Sequence, residues 1–475
     1  MSSSAAVGNV SQGGSSWAAH FRATLALGIP LIGAQLAQLG IHTTDMIIVG
    51  QLGAEKLAAM VLAGQFYFVV FIFGTGFSVA VVPMVANAYG QGDATSARRA
   101  LRMGMWVAIA YWLLTLGLFF NAERILLKLG QNPNVAKLTG DYLAISQLGL
   151  LPASLFYVMR GLVSAIGRAG VILYATIAML LLNGFLAYAL VLGHFGFPAL
   201  GMQGAAIAAV IVNLFSLVFI VVYIQTREET RRYELFVRFW KPDWHALLEV
   251  LRLGFPISIT ILAETMLFSA ASILMGQIGT IELAAHGIAL QLASIAFMIP
   301  LGLSQAATVR IGVAHGRGDY TNLVRAAITV YGVACVIALS GGILFAIAPE
   351  FLAKWFLDAR LPEAPEVLAY ASTLVVIAGV FQLVDGIQAV AAGLLRGLKD
   401  ARIPAMLALI SYWPIGFTLA WITAFPLGFG GQGVWFGFVV GLTAASILLS
   451  VRFYLLVKRE MRLSHQNPSL AISNT

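Results

Sequence analysis

Apolar residues in this chain run in long, nearly unbroken windows, with neither the strict alternation of a half-buried strand nor the narrow stripe of a surface helix. A span needs about 20 mostly apolar residues to cross a hydrocarbon core about 30 Å thick. Twelve windows qualify: roughly 24–49, 57–88, 101–121, 139–159, 170–193 and 202–225, then 253–277, 283–312, 326–348, 366–394, 403–426 and 433–456. Lipid offers the backbone no hydrogen-bond partner and barrel strands are far shorter, so the windows predict helices. The expected fold class is an all-α polytopic membrane protein with twelve transmembrane helices.

The pattern repeats. Without a gap, "GIPLIGAQLAQLGIHTTDMIIVGQLG" from Gly28 lies on "GFPISITILAETMLFSAASILMGQIG" from Gly254, pairing Pro30 with Pro256 and Gly50 with Gly276. The same offset of 226 carries "YGQGD" at 89–93 onto "HGRGD" at 315–319, and later drifts to 232, where Gly161 meets Gly393. Two six-helix lobes follow, and an even number of helices per lobe puts their pseudo-twofold axis along the membrane normal. The expected organisation is a disordered cytoplasmic tail (1–20), an N-lobe (21–225), a cytoplasmic linker (226–252), a C-lobe (253–457) and a second cytoplasmic tail (458–475). The first 20 residues lack the cationic start and short apolar core of a signal peptide. The linker, "TREETRRYELFVRFWKPDWHALLEVLR", reads as amphipathic and lying against lipid headgroups.

Composition agrees: 60% of residues are hydrophobic, 10% are charged, and the mean hydropathy is +0.89. A net charge of +8 could suggest nucleic acid, but its placement speaks to topology instead. With the amino terminus inside, 22 of the 28 basic residues fall on the inner side, leaving Lys56, Arg124, Lys128, Lys137, Lys354 and Arg360 outside. Both termini are then cytoplasmic. The single cysteine, Cys335, excludes an intrachain disulfide. No GxxxxGK[ST] stretch supplies ATP, so active transport would draw on an ion gradient.

Three acids remain within spans: Asp45, Glu264 and Asp385. No Lys or Arg is expected deep in a span. An ionised carboxylate near the bilayer centre costs about 2.5–3.5 kcal/mol on insertion scales, and without a fixed cation it must hold a proton, a metal cation or an organic cation. Displacement of one cation by another at such a site is antiport. Asp385 in "FQLVDGIQAV" shares a helical face with Phe381 and Gln388, which would offer a cation a carboxylate, an amide and a ring. Asp45 lies nearer the end of its span, where a gate or a helix-end hydrogen bond competes with direct function. His42 reads as hydrogen-bonded structure, and Gln35, Gln38, Gln291 and Gln382 are candidates to line a cavity.

These stretches resemble the multidrug and toxic compound extrusion family, in particular its bacterial NorM-type branch. The resemblance is carried by Gly28-Ile-Pro30 with Asp45 and "VGQLG", "GFP" with Glu264 and "MGQIG", "ELAAHGIALQ" at 282–291, "AHGRGD" at 314–319 and "DGIQAVAAGLLRGLKDARIP" from Asp385. It covers about residues 20–460. It implies a V-shaped cleft between two lobes and export of cationic amphipathic drugs in exchange for Na⁺ or H⁺, with no other cofactor. The family's acids fall on Asp45, Glu264 and Asp385, and its amino-lobe asparagine on Asn183; Na⁺ would sit at Glu264 and Asp385. Some relatives carry an acid one turn after that asparagine, where this chain has Ala187, and a tyrosine where it has Phe381. The expected setting is a bacterial inner membrane, as a monomer in contact with lipid and with no nucleic-acid partner. The alternative is a flippase for lipid-linked oligosaccharide, whose anionic substrate would want basic residues in the spans. A membrane enzyme would need a DDxxD or HExxH cluster, and neither occurs.

Overall fold

The computed structural model describes residues 16–357, 360 and 362–466. Among these, twelve helices are long and apolar enough to cross a membrane. They are α1 (Trp17–Gly50), α2 (Ala54–Gln91), α3 (Ala94–Phe120), α4 (Pro133–Ala165), α5 (Ala169–Leu192), α6 (Met202–Thr226), α7 (Trp244–Ile278), α8 (Thr280–Gly316), α9 (Tyr320–Ile347), α10 (Ala364–Gly397), α11 (Arg402–Ala424) and α12 (Gly430–Gln466). Most outrun the apolar windows, because a helix continues past the lipid wherever its backbone bonds and a neighbour still hold it. Residues 17–20 accordingly form the first turn of α1 where a disordered tail is expected, and His20 is buried there. The rest of that tail (1–15), residues 467–475 of the second tail, and Asp358 lie outside the described residues. The non-helical part of the expected linker shrinks as well, since α7 begins at Trp244.

Two compact units emerge, one comprising Gly33–Ser258 and the other Met1–Ile32 with Ile259–Thr475. The boundaries fall inside α1 and α7, two residues after Pro30 and Pro256, rather than at the linker. Close backbone contact explains the placement. A Cβ on Gly302 of α8 would lie 2.7 Å from the backbone nitrogen of Ile32, which ties the first half of α1 to the second unit. In the first unit a Cβ on Gly76 of α2 would lie 2.5 Å from the nitrogen of Ser258, whose hydroxyl donates to the Phe73 carbonyl at 2.6 Å. Gly76/Gly302 and Ile32/Ser258 are mates at the 226 offset.

The repeated "GxGD" is a stop and restart of the helix. Gly92 (φ 75°) and Gly318 (φ 67°) take the left-handed conformation that closes one helix. The next residue caps the following one: the Asp93 carboxylate accepts from the Thr95 and Ser96 amides, and Asp319 accepts from the Asn322 amide. The connection after α6 is pinned to the first unit. Arg102 donates to the Arg238 carbonyl at 3.0 Å, Trp106 to that of Phe239 at 3.1 Å, and Arg168 pairs with Glu229 at 2.6 Å.

Candidate functional site

In the second unit, one face of α10 is packed out of contact with solvent. Phe381, Gln382, Asp385 and Gln388 are all buried on it. Phe381 stands within 5.5–6.3 Å, ring centre to ring centre, of Phe268, Trp435 and Phe438. Its ring is therefore committed to the core and is not offered to a cation, contrary to the sequence expectation; a heptad-like face predicts which residues meet, but not whether a neighbouring helix covers them. Trp435 Nε1 donates to His286 Nδ1 at 3.2 Å, which leaves the His286 Nε2 proton for Ser272 Oγ at 3.2 Å and fixes the neutral ring as part of the packing.

Beside this cage the polar groups are incompletely satisfied. Gln388 Nε2 donates to the Tyr412 hydroxyl at 2.5 Å, while Gln388 Oε1 and Asp385 Oδ1 are buried with no hydrogen-bond partner. Tyr412 belongs to a π-helical stretch of α11, Ser411–Phe417, that contains Pro414. Proline lacks the N–H that continues an α-helix, and the widened turn is a common feature of functional sites. Glu264 on α7 is half-buried and takes no hydrogen bond or direct ion pair from a described residue. It acts electrostatically on Asp385 and Tyr412. Two carboxylates in one low-dielectric region repel when both are ionised, and a proton or cation between them relieves that repulsion.

Of the basic residues counted with the inner loops, Arg396 bears on this site from the last turn of α10. This arginine is within α10, and its charge acts on Glu264. Side chains on a helix lean toward its amino terminus, and this one follows the rule: Nε donates to the Ala392 carbonyl at 3.2 Å and a terminal nitrogen to Ser304 Oγ at 2.8 Å. A residue counted with the inner loop thus carries its charge about a turn deeper. Arg160 in α4 is also buried, over the Tyr157 ring at 4.4 Å.

The first unit holds Asp45, on α1, and Asn183, on α5, together. Asn183 Nδ2 donates to Asp45 Oδ1 at 2.7 Å, both side chains are buried, and Asn183 Oδ1 is left without a partner. Ala187, one turn on, is fully buried. Gln35 and Gln38 are half-buried, Gln291 is exposed, and none of the three makes a hydrogen bond to a described residue. Sequence reasoning missed Arg396 and Tyr412 as parts of the second unit's site. Arg396 stands in the quoted "GLLRGLKD", and Pro414 in the middle of an apolar window signalled a broken helix around Tyr412. Among the described residues no three His, Cys, Asp or Glu side chains gather in a metal cluster.

Comparison with known proteins identifies the family. The MatE family model matches residues 30–189 and 256–422. The chain is 80% identical over 462 residues to a probable multidrug resistance protein NorM of Agrobacterium fabrum, covering 97% of this chain and 99% of that one. A protein of the same name from Rhizobium meliloti is 59% identical, with coverage of 95% and 96%. Among solved structures, the eukaryotic MATE transporter AtDTX14 superposes with a TM-score of 0.84 over 95% of this chain and 99% of its own, at 20% identity. A MATE structure in a bent conformation gives 0.85 over 95% and 100%, at 19% identity. At such identities the structural likeness speaks to the fold.

Proposed function

We infer that this chain, which belongs to the MatE family and is a multi-pass membrane protein, is a secondary active multidrug efflux antiporter. It exports cationic amphipathic drugs from the cytoplasm or inner leaflet in exchange for Na⁺ or H⁺. It works in a bacterial inner membrane with both termini in the cytoplasm. The carrying observation is the pair Glu264 and Asp385: two acids inside the second unit, one with a buried oxygen lacking any partner, and neither in a direct ion pair. An organic cation held there balances the pair. Na⁺ or H⁺ arriving from outside takes its place, weakens the hold on the drug and favours its release outward. A Na⁺ ion at the pair would complete its coordination with water, backbone or amide oxygens.

Asp45 and Asn183 serve the first unit in the same sense, with an amide already satisfying one carboxylate oxygen. Arg396 is a tethered competitor for Glu264 that holds the acid's place between turnovers. The test is drug transport in proteoliposomes under separately imposed Na⁺ and pH gradients. Glu264→Gln and Asp385→Asn should abolish gradient-driven ethidium efflux at normal expression. Full export by both variants would sink the reading.

A further inference from the structure

The connection between α6 and α7 sorts its charges. Residues 226–252 hold six basic and five acidic side chains, so their net charge alone says little. Three of the acids are drawn to arginines of the first unit: Glu229 to Arg168 at 2.6 Å, Glu234 to Arg98 at 2.8 Å and Asp243 to Arg99 at 3.5 Å. Between the last two pairs, the turn "LFVRFWKP" at 235–242 carries no acid. Its two cations, Arg238 and Lys241, are exposed and make no ion pair with a described residue.

The same turn is fastened from beneath. Leu235 is buried, the carbonyls of Arg238 and Phe239 accept from Arg102 and Trp106 of α3, and the Asp243 amide donates to Met103 Sδ at 3.4 Å. Arg238 is held at φ 57°, a left-handed conformation unfavourable to an L-residue. The outward face is therefore fixed before anything binds to it.

That face is aromatic as well as basic. Trp240 and Trp244 are 74% and 66% exposed, with Phe236 and Val237 exposed in the same stretch. On α7, Trp244 begins a run with Leu248, Leu251 and Phe255, spaced by four, three and four residues and exposed throughout. Such spacing is one face of a helix, and on a membrane-spanning helix an exposed apolar face meets lipid. Trp244 marks the end of that stripe, and Trp240 with the two cations stands just beyond it, at the depth of the headgroups. Indole rings favour this interface, and cations placed there attract anionic lipid.

We propose that the turn 235–242, with Trp244, is a docking surface for an anionic phospholipid of the adjoining leaflet. Arg238 and Lys241 take the phosphate and the rest of the headgroup, and Trp240 and Trp244 lie against the glycerol and the first acyl carbons. The inference is independent of what the protein exports and of the ion exchanged for it.

The test titrates the purified full-length protein in detergent with dioleoyl phosphatidylglycerol or dioleoyl phosphatidylcholine and counts bound lipid by native mass spectrometry. Wild type should hold one phosphatidylglycerol roughly 30-fold more tightly than phosphatidylcholine, about fivefold for each of two cations at a membrane surface. Arg238→Gln with Lys241→Gln should erase this preference and leave phosphatidylcholine binding as it was. Lys241→Gln alone should lose about fivefold, and it carries this arm if the double variant does not fold. Trp240→Ala should weaken both lipids alike, by roughly tenfold. Removing the same charge elsewhere, by Lys128→Gln with Lys137→Gln, should change neither. Equal affinity of wild type for the two lipids, a preference that survives in the double variant, or an equal loss in the Lys128 and Lys137 control would overturn the proposal. So would glycerol 3-phosphate binding as tightly as the lipid, which would make the partner a soluble phosphate.

Discussion

Asp45 in one unit is met by a neutral amide 2.7 Å away, while in the other Asp385 lies buried in the field of Glu264, and Glu264 in that of Arg396. The mates of these residues show that duplication did not make the difference symmetric. At the 226 offset Asp45 falls on Ala271, and Glu264 on Gln38. At the 232 offset Asp385 falls on Ala153 and Arg396 on Ser164, with Pro133 and Pro365 aligned at the starts of α4 and α10. The helix-ending glycines, the capping acids and the close contacts at Gly76 and Gly302 are kept in both units. A frame shared by two units is constrained by backbone geometry that either copy would lose. An interior charge is not held by that geometry, and the two units differ in theirs.

The sharpest way to break the comparison is to neutralise each acid in turn. Asp385→Asn should abolish gradient-driven drug efflux, a loss of at least roughly 100-fold, the scale of an intramembrane charge worth about 2.5–3.5 kcal/mol. Asp45→Asn keeps an acceptor oxygen for Asn183, and should cost less, on the order of tenfold, the scale of one hydrogen bond to a charged group. Initial ethidium efflux rates decide, and equal losses would mean that the units contribute alike. Arg396→Gln should fall between these limits, and should slow efflux while leaving the melting temperature within a few degrees.

Stability offers a comparison of the frame itself. A Cβ on Gly393 would lie 2.4 Å from the Ser304 carbonyl oxygen, whereas on its mate Gly161 the nearest atom is a Val82 methyl at 3.4 Å. Gly393→Ala should therefore destabilise by about 1–3 kcal/mol through overpacking, and Gly161→Ala should be near neutral. Thermal unfolding in detergent measures both.

The two caps should respond alike, since Asp93→Ala and Asp319→Ala each remove a cap worth about 1 kcal/mol. The Ser96 hydroxyl, then the Ser96 and Thr95 amides, hold the Asp93 carboxyl below the usual carboxylate range. A depressed acid stabilises the fold above its unfolded-state pKa, so this contribution is present at neutral pH and fades as pH falls through the lowered folded value. The melting difference between wild type and Asp93→Ala should accordingly shrink in acid. The smallest effect concerns Lys399, which takes φ 59° where its mate Gly167 takes φ 80°. Lys399→Gly should stabilise by up to about 1 kcal/mol by relieving left-handed strain, and Gly167→Lys should do the reverse.

Twelve spans, the duplication and the three interior acids were legible in the residues alone. Lipid permits only self-satisfied helices of a set length, and an acid among apolar neighbours stands out in any reading of the chain. Helix ends were less legible, as at Trp17 and Trp244, because a helix outside lipid persists on contacts that lie far away in sequence. What only the tertiary structure decided is the company each polar group keeps. It put Phe381 in a cage of Phe268, Trp435 and Phe438, brought Asn183 to Asp45 across 138 residues, and turned Arg396 inward toward Ser304 and Glu264. Periodicity fixes which side of a helix a residue occupies; which helix lies opposite, and at what depth a long side chain comes to rest, depends on packing between distant segments.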